Sequence, residues 1–184
     1  MKNQPGMEAG RLNFLDESSV NLGMTRLYGR APAGERINDY VPDVRFERTS
    51  IISTVRLDGG QIPFVFKGTL NGALFKSYTE QFLAPALSAG DILLMDNSSA
   101  HKTKGAVDAL LKKGVTVMFI PRYSPDFNPI ELLWSKLKAF LHKIKARTPE
   151  SLLEAIKLAL DTISTDDIEG WFRHCGYLAN VSNV

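Results

Sequence analysis

The chain has 184 residues, 44% hydrophobic and 23% charged, a balance that suits one globular domain with a substantial core. A single cysteine, Cys175, rules out an intrachain disulfide and fits a reducing cytoplasm, and with three scattered histidines it gives a structural zinc site little support. No apolar run reaches membrane-spanning length and the start MKNQPGMEAG lacks a signal-peptide stretch, so the expectation is a cytoplasmic protein with no membrane partner.

In chain order, residues 1–10 read as a short tail and RLNFLD, 11–16, as a strand ending in an acid. Residues 21–48, rich in Gly, Pro and Arg, read as a long hairpin or loop. SIISTVRLDGG, 50–60, alternates with a period of two and then turns; QIPFVFKG, 61–68, pairs back on it with Ile62, Phe64 and Phe66 on one face. Pro63 cannot donate to a ladder, which predicts an edge strand.

From there the period changes. Residues 71–87 predict a helix disturbed near Pro85, DILLMD at 91–96 a continuous apolar strand, residues 103–113 a helix stopped by Gly114, and VTVMFI at 115–120 a second apolar strand. Both apolar runs suit parallel strands covered on two faces. A helix over 129–145 carries Ile130, Leu133, Leu137, Leu141 and Ile144. Another opens at Thr148-Pro149 with Leu153, Ile156, Leu160 and Ile163 inward, and a last one opens at Thr165 with Ile168, Trp171, Phe172 and Cys175 inward. Asn128 is expected to cap the 129–145 helix with its side chain, Pro129 to sit at its first position and Glu131 to reach back. The fold class is therefore α/β: a mixed five-stranded sheet, three antiparallel strands then two parallel, flanked by helices, with the first strand central beside 91–96.

Three acids stand out. Asp16 and Asp96 each end a predicted strand; if those strands are adjacent and parallel, both carboxylates emerge at the strand ends where α/β sheets bind ligands. The loop after 115–120 brings Glu131, off the apolar stripe of its helix, to the same end. Singly, each acid reads as a turn or cap residue. Together they would repel without a cation, and hard oxygen donors suit Mg2+ or Mn2+. Net charge is only +2, but residues 102–147 hold ten Lys and Arg against Asp108, Asp126 and Glu131, a net +7, followed by a net −5 over 148–170. That asymmetry fits a polyanion partner, or a solvated surface with compensating charge.

The segments FLDES, LLMDNSSAHK and IPRYSPDFNPIELLWSKLK, with the hairpin TRLYGRAPAGER, resemble the catalytic domain of DDE transposases, most closely the IS630 branch of the IS630/Tc1/mariner superfamily. Thirty-four residues separate Asp96 from Glu131, as in members whose third acid is a glutamate. The resemblance implies an RNase H-like fold over 11–184 and an acidic triad of Asp16, Asp96 and Glu131. It implies two Mg2+ or Mn2+ ions, with Asp16 bridging them, and hydrolysis at transposon ends that frees a 3′-OH to attack target DNA. His101 and Lys102 match the family's H-K pair; His101 reads as orienting a neighbour or capping the next helix, and Trp134 as core. Lys102, Lys104, Arg122, Lys138, Arg26 and Arg30 are the candidate phosphate contacts, with Arg36, Arg45 and Arg48 beside them. Relatives begin with helix-turn-helix DNA-binding modules; here the first acid comes almost at once. The expectation is a catalytic domain whose helix-turn-helix region is separately encoded or missing, bound to the bacterial nucleoid when on DNA, with room for a homodimer. Two readings compete with it: a non-catalytic DNA-binding remnant, and another RNase H-like nuclease.

Overall fold

The computed structural model describes residues 8–26, 28–38, 42, 46–121 and 125–178. Five strands form one sheet in the order β3-β2-β1-β4-β5: β1 Leu12–Val20, β2 Thr49–Arg56, β3 Phe64–Lys67, β4 Ile92–Met95 and β5 Thr116–Phe119. β1 is central, antiparallel to β2 and parallel to β4. β3 lies at the edge, with Pro63 just outside its first residue, so the missing donor disturbs no ladder.

Two expectations about the strands are corrected. β1 does not end at Asp16: it runs on to Val20, because β2 continues its ladder to Val20↔Thr49 while β4 stops at Met95. The polar run Asp16–Ser19 stays extended because its backbone is paired, which outweighs its weak strand preference. β5 is not covered on both faces. It is the other edge, with Thr116 and Phe119 exposed, and its apolar run is spent on half-buried contacts.

The sheet separates two cores. Phe14, Ile51, Val55 and Leu94 point to the face covered by α4 Pro129–Ile144, α5 Pro149–Asp161 and α6 Thr165–His174. Leu15, Ile52, Leu93 and Met95 point to the other, where α1 Gly72–Tyr78, α2 Ala84–Ala86 and α3 Lys104–Lys112 pack. The period of two along each strand dictates this division. Between α1 and α2 the chain makes a π-helical turn, Thr79–Leu83, in which the Ala84 N–H reaches Thr79 O. This is the disturbance expected near Pro85, whose ring crowds the carbonyl four residues back.

The cap at α4 differs from expectation. Asn128 is extended, as a residue before proline should be, and makes no side-chain cap hydrogen bond. Its amide is buried instead, with Oδ1 unpartnered among the described residues, and only its backbone oxygen accepts the Glu131 N–H, at 3.1 Å. On α5 the buried stripe is Leu152, Ala155, Ile156 and Ala159, so Leu153 faces solvent, 54% exposed. A Thr148–Ser151 capping box closes its N-terminus.

α6 is tied to α4 by charge. The Lys136 ammonium donates to Asp167 and to Thr162 O, and Asp167 also closes the Ser164 capping box. The hydrogen bond from Lys136, then those from the Ser164 amide and hydroxyl, hold the Asp167 carboxyl down at about 2. A lowered value stabilises the fold above the ordinary carboxyl range near pH 4 and loses that contribution as pH falls through 2. Asp167→Ala is therefore expected to cost about 1–2 kcal/mol at pH 7, and little near pH 2, in urea unfolding.

Candidate active site

β1 and β4 pair in register from Leu12↔Ile92 to Leu15↔Met95, so the next residues, Asp16 and Asp96, emerge side by side at the end of the parallel pair. Asp16 shares the face of Phe14 and points towards α4. There the Trp134 indole N–H donates to its Oδ2 at 3.2 Å, so Trp134 is both core and a contact of the candidate acid. Glu131, one turn before Trp134, is exposed, and its charge acts on Asp16. Burial first, then the charges of Glu131 and Glu17, push the Asp16 carboxyl up to about 7, against the pull of the Glu17 amide and of Trp134.

The structure adds Glu17 and gives His101 its partners. Glu17, next along β1, points to the opposite face from Asp16. His101, fully buried, lies on that face against the Phe75 ring at 4.8 Å. Its Nδ1 is 2.6 Å from Asp96 Oδ1, which also accepts the Ser98 N–H at 2.9 Å. Its Nε2 is 3.1 Å from Glu17 Oε2, an ion-pair distance without the alignment of a hydrogen bond. Burial works against charge on this imidazole, but Asp96 and Glu17 outweigh it and push its pKa up to about 9. Of the two sequence readings of His101, the orienting one fits; α3 is capped at Thr103 without any side-chain bond. The signal for Glu17 was its alternation with Asp16 on a strand.

The acids converge on one region without closing on a point: among the described residues no three His, Cys, Asp or Glu side chains are arranged to hold an ion. Lys102, exposed, follows His101 and places its ammonium 5.9 Å from the centre of the Phe119 ring at the end of β5. Lys104 is exposed at the start of α3 and Lys138 half-buried two turns along α4 from Glu131. Arg26 and Arg30 are exposed on the long β1–β2 connection, whose root is held by Arg147 to Leu22 O and Met24 O and by His142 to Thr25 O. Arg36 and Arg48 are exposed there too, while Arg122 and Arg45 lie outside the described residues. A hollow of about 430 Å3 lined by Glu80, Pro85, Ala109 and Lys112 sits at the far end of α3 and plays no part here.

The architecture is similar to that of Mos1 transposase in a paired-end complex with the left transposon end, at 16% identity and a TM-score of 0.73, over 95% of this chain and 55% of that one. A Mos1 mariner paired-end complex with Mg aligns at 16% identity and 0.72, over 95% and 56%. The catalytic domain of Mos1 mariner transposase aligns at 14% identity and 0.65, over 95% and 81%. At such identities the likeness is one of fold, and the fold is RNase H-like. The chain spans about half the length of the longer transposase chains it matches. No curated protein gives a significant match. The sequence pattern of the DDE superfamily endonucleases, by contrast, matches residues 11–153, a stretch that contains every strand, Asp16, Asp96 and Glu131, and the chain belongs to that family.

Proposed function

We propose that this chain is the catalytic domain of an IS630-branch DDE transposase. It cuts DNA at transposon ends and joins the freed 3′-OH to target DNA, with Asp16, Asp96 and Glu131 as metal ligands. The observation that carries this reading is the register of β1 and β4, which sets Asp16 beside Asp96, together with the charge that Glu131 exerts on Asp16. Solved Mos1 complexes contain a transposon end, and others contain Mg or Mn, which supports DNA and a divalent ion as partners.

The donor chemistry of these residues fits such an ion. The donors are carboxylate oxygens, the preferred ligands of Mg2+ and Mn2+. Burial first, then the charges of Glu131 and Glu17, raise Asp16, so its carboxylate stands among like charges that a divalent cation would offset. A pair of divalent ions held by Asp16, Asp96 and Glu131 would supply positive charge for the attacking and the leaving oxygen. In the first step water adds to phosphorus and gives up a proton, the P–O3′ bond breaks and the 3′ oxygen leaves as a hydroxyl. In the second that hydroxyl attacks a target phosphate, loses its proton as the new P–O bond forms, and the target's own P–O3′ bond breaks with its 3′ oxygen leaving as a hydroxyl.

The chain's own part is placement. Asp16 is rigid because it sits on the central strand and is held by Trp134. Glu131 is fixed by the first turn of α4 rather than by a loop. Lys102, Lys104 and Lys138, with Arg26, Arg30 and Arg122, hold backbone phosphates, which gives affinity without sequence reading. End recognition then falls to a helix-turn-helix region separate from residues 11–184, and two such chains, one per end, form a homodimer on nucleoid DNA. No helix among the described residues is long and apolar enough to cross a membrane.

The test is a substrate comparison. Duplex DNA should be bound in a salt-sensitive way and nicked in Mg2+ or Mn2+, with nicking stopped by EDTA. Salt-sensitive binding without any cleavage would favour a non-catalytic remnant, and preferential cutting of RNA–DNA hybrid would favour another RNase H-like nuclease.

A further inference from the structure

We propose that Glu17 and His101 form a positioning relay that fixes the carboxylate of Asp96 for metal binding. The inference rests on Asp96 being a metal ligand, as proposed above. Asp96 needs outside support: it follows the last residue of β4, and its side chain is 54% exposed at the start of a loop. A carboxylate there would rotate about its own bonds. His101 prevents this through Nδ1, 2.6 Å from Oδ1, and the Ser98 N–H holds the same oxygen.

The imidazole is a rigid support because it cannot swivel. It is fully buried, packed on Phe75, and its far nitrogen is 3.1 Å from Glu17 Oε2. Glu17 in turn is fixed by the β1–β2 ladder at Glu17↔Ile52. One strand therefore positions two acids by two routes. β1 presents Asp16 directly on one face, and from the other face it sets Asp96 through Glu17 and His101. Supporting groups of this kind, when removed, typically weaken metal binding by about 10–100-fold.

The experiment is an Mn2+ titration of the purified chain, read by the EPR signal of free ion, alongside thermal melts and the Mn2+ dependence of nicking. His101→Asn should weaken Mn2+ binding by about 10–100-fold, and Glu17→Gln, which leaves the buried ring in place, by roughly 3–10-fold. Glu17 acts on Asp96 through His101, while its charge also reaches Asp16, so the loss in the double variant should fall short of the two single losses combined, a non-additivity that two independent structural defects would not give. If His101→Asn does not fold, Glu17→Gln carries the test on its own. Asp96→Asn separates the two ideas. Binding lost in Asp96→Asn but native in Glu17→Gln and His101→Asn, or losses that simply add in the double variant, overturns the relay and leaves the transposase reading standing. Native binding in Asp96→Asn, or no binding by the native chain, overturns both.

Discussion

Asp16→Asn is expected to lower DNA nicking by at least about 10³-fold, roughly 4 kcal/mol of barrier, and to leave the metal-free protein more stable than the native one at pH 8. The two effects have one cause. Burial first, then the charges of Glu131 and Glu17, lift the Asp16 carboxyl to about 7. An acid with a raised folded-state value is neutral in the fold while already ionised in the unfolded chain. The stability tied to its neutral form is whole below about pH 4 and is lost as pH rises through 7. The linkage bound on that loss is about 4 kcal/mol, and solvent relaxation brings it to a few at most. Asparagine has the same shape and no charge, so the variant should escape the loss. Urea unfolding in EDTA at pH 4.5 and pH 8 checks this: the native chain should weaken between them and the variant much less. Mg2+ should then restore the native protein and not the variant. A variant that nicks DNA normally, or one that is destabilised like an ordinary buried-polar replacement, would contradict this account of Asp16.

The largest loss of stability is expected at Phe14, two residues earlier on the same face of β1. Its ring is fully buried, edge-on to Phe172 at 5.4 Å and against Tyr177 at 4.8 Å, while the Tyr177 hydroxyl donates to Phe127 O just before α4. Phe14 therefore joins the strand of Asp16 to α6 and to the approach to Glu131. Phe14→Ala should cost about 3–5 kcal/mol, from lost transfer energy, a cavity and the aromatic pairs, and lower the melting temperature by roughly 10 °C. Leu153→Ala, on the exposed side of α5, is the control and should stay within about 0.5 kcal/mol. A loss under about 1 kcal/mol at Phe14 would show that the α6 layer does not depend on this contact.

Much of the fold is legible in the chain because its signals are local. The period of two in Ile51–Val55, the apolar runs at 92–95 and 116–119 and the proline at 63 mark four of the strands and one edge, and the order follows once the first strand is set centrally beside 91–96. What escapes is set by partners distant in sequence. β1 continues past Asp16 because β2 pairs with it to Thr49, and nothing in DESS says so. Leu153 faces out because α5 packs through Leu152, Ala155, Ile156 and Ala159, and a second stripe reads as well one residue later. Asn128 has the letters of a cap, but Pro129 holds it extended and its amide turns inward.

The candidate site divides in the same way. Asp16, Asp96 and Glu131 can be picked out because strand ends and helix starts are places that sequence marks. The part played by His101 is only half marked: an imidazole five residues after an acid reads as orienting a neighbour or as capping the next helix. Only the packing of Phe75, from a helix formed earlier in the chain, buries it between two carboxylates. Trp134 is similar: its place in the core follows from the stripe of α4, whereas its bond to Asp16 depends on how α4 crosses β1.

The central claim, that these carboxylates carry metal-dependent cutting of DNA, is tested most directly by comparing native and Asp96→Asn chains on supercoiled DNA in Mg2+ and in EDTA. The native chain should nick DNA in Mg2+ and not in EDTA, and the variant should fall by at least about 10³-fold while still melting cooperatively as a folded protein. An Asp96→Asn protein that nicks as fast as the native one would contradict it.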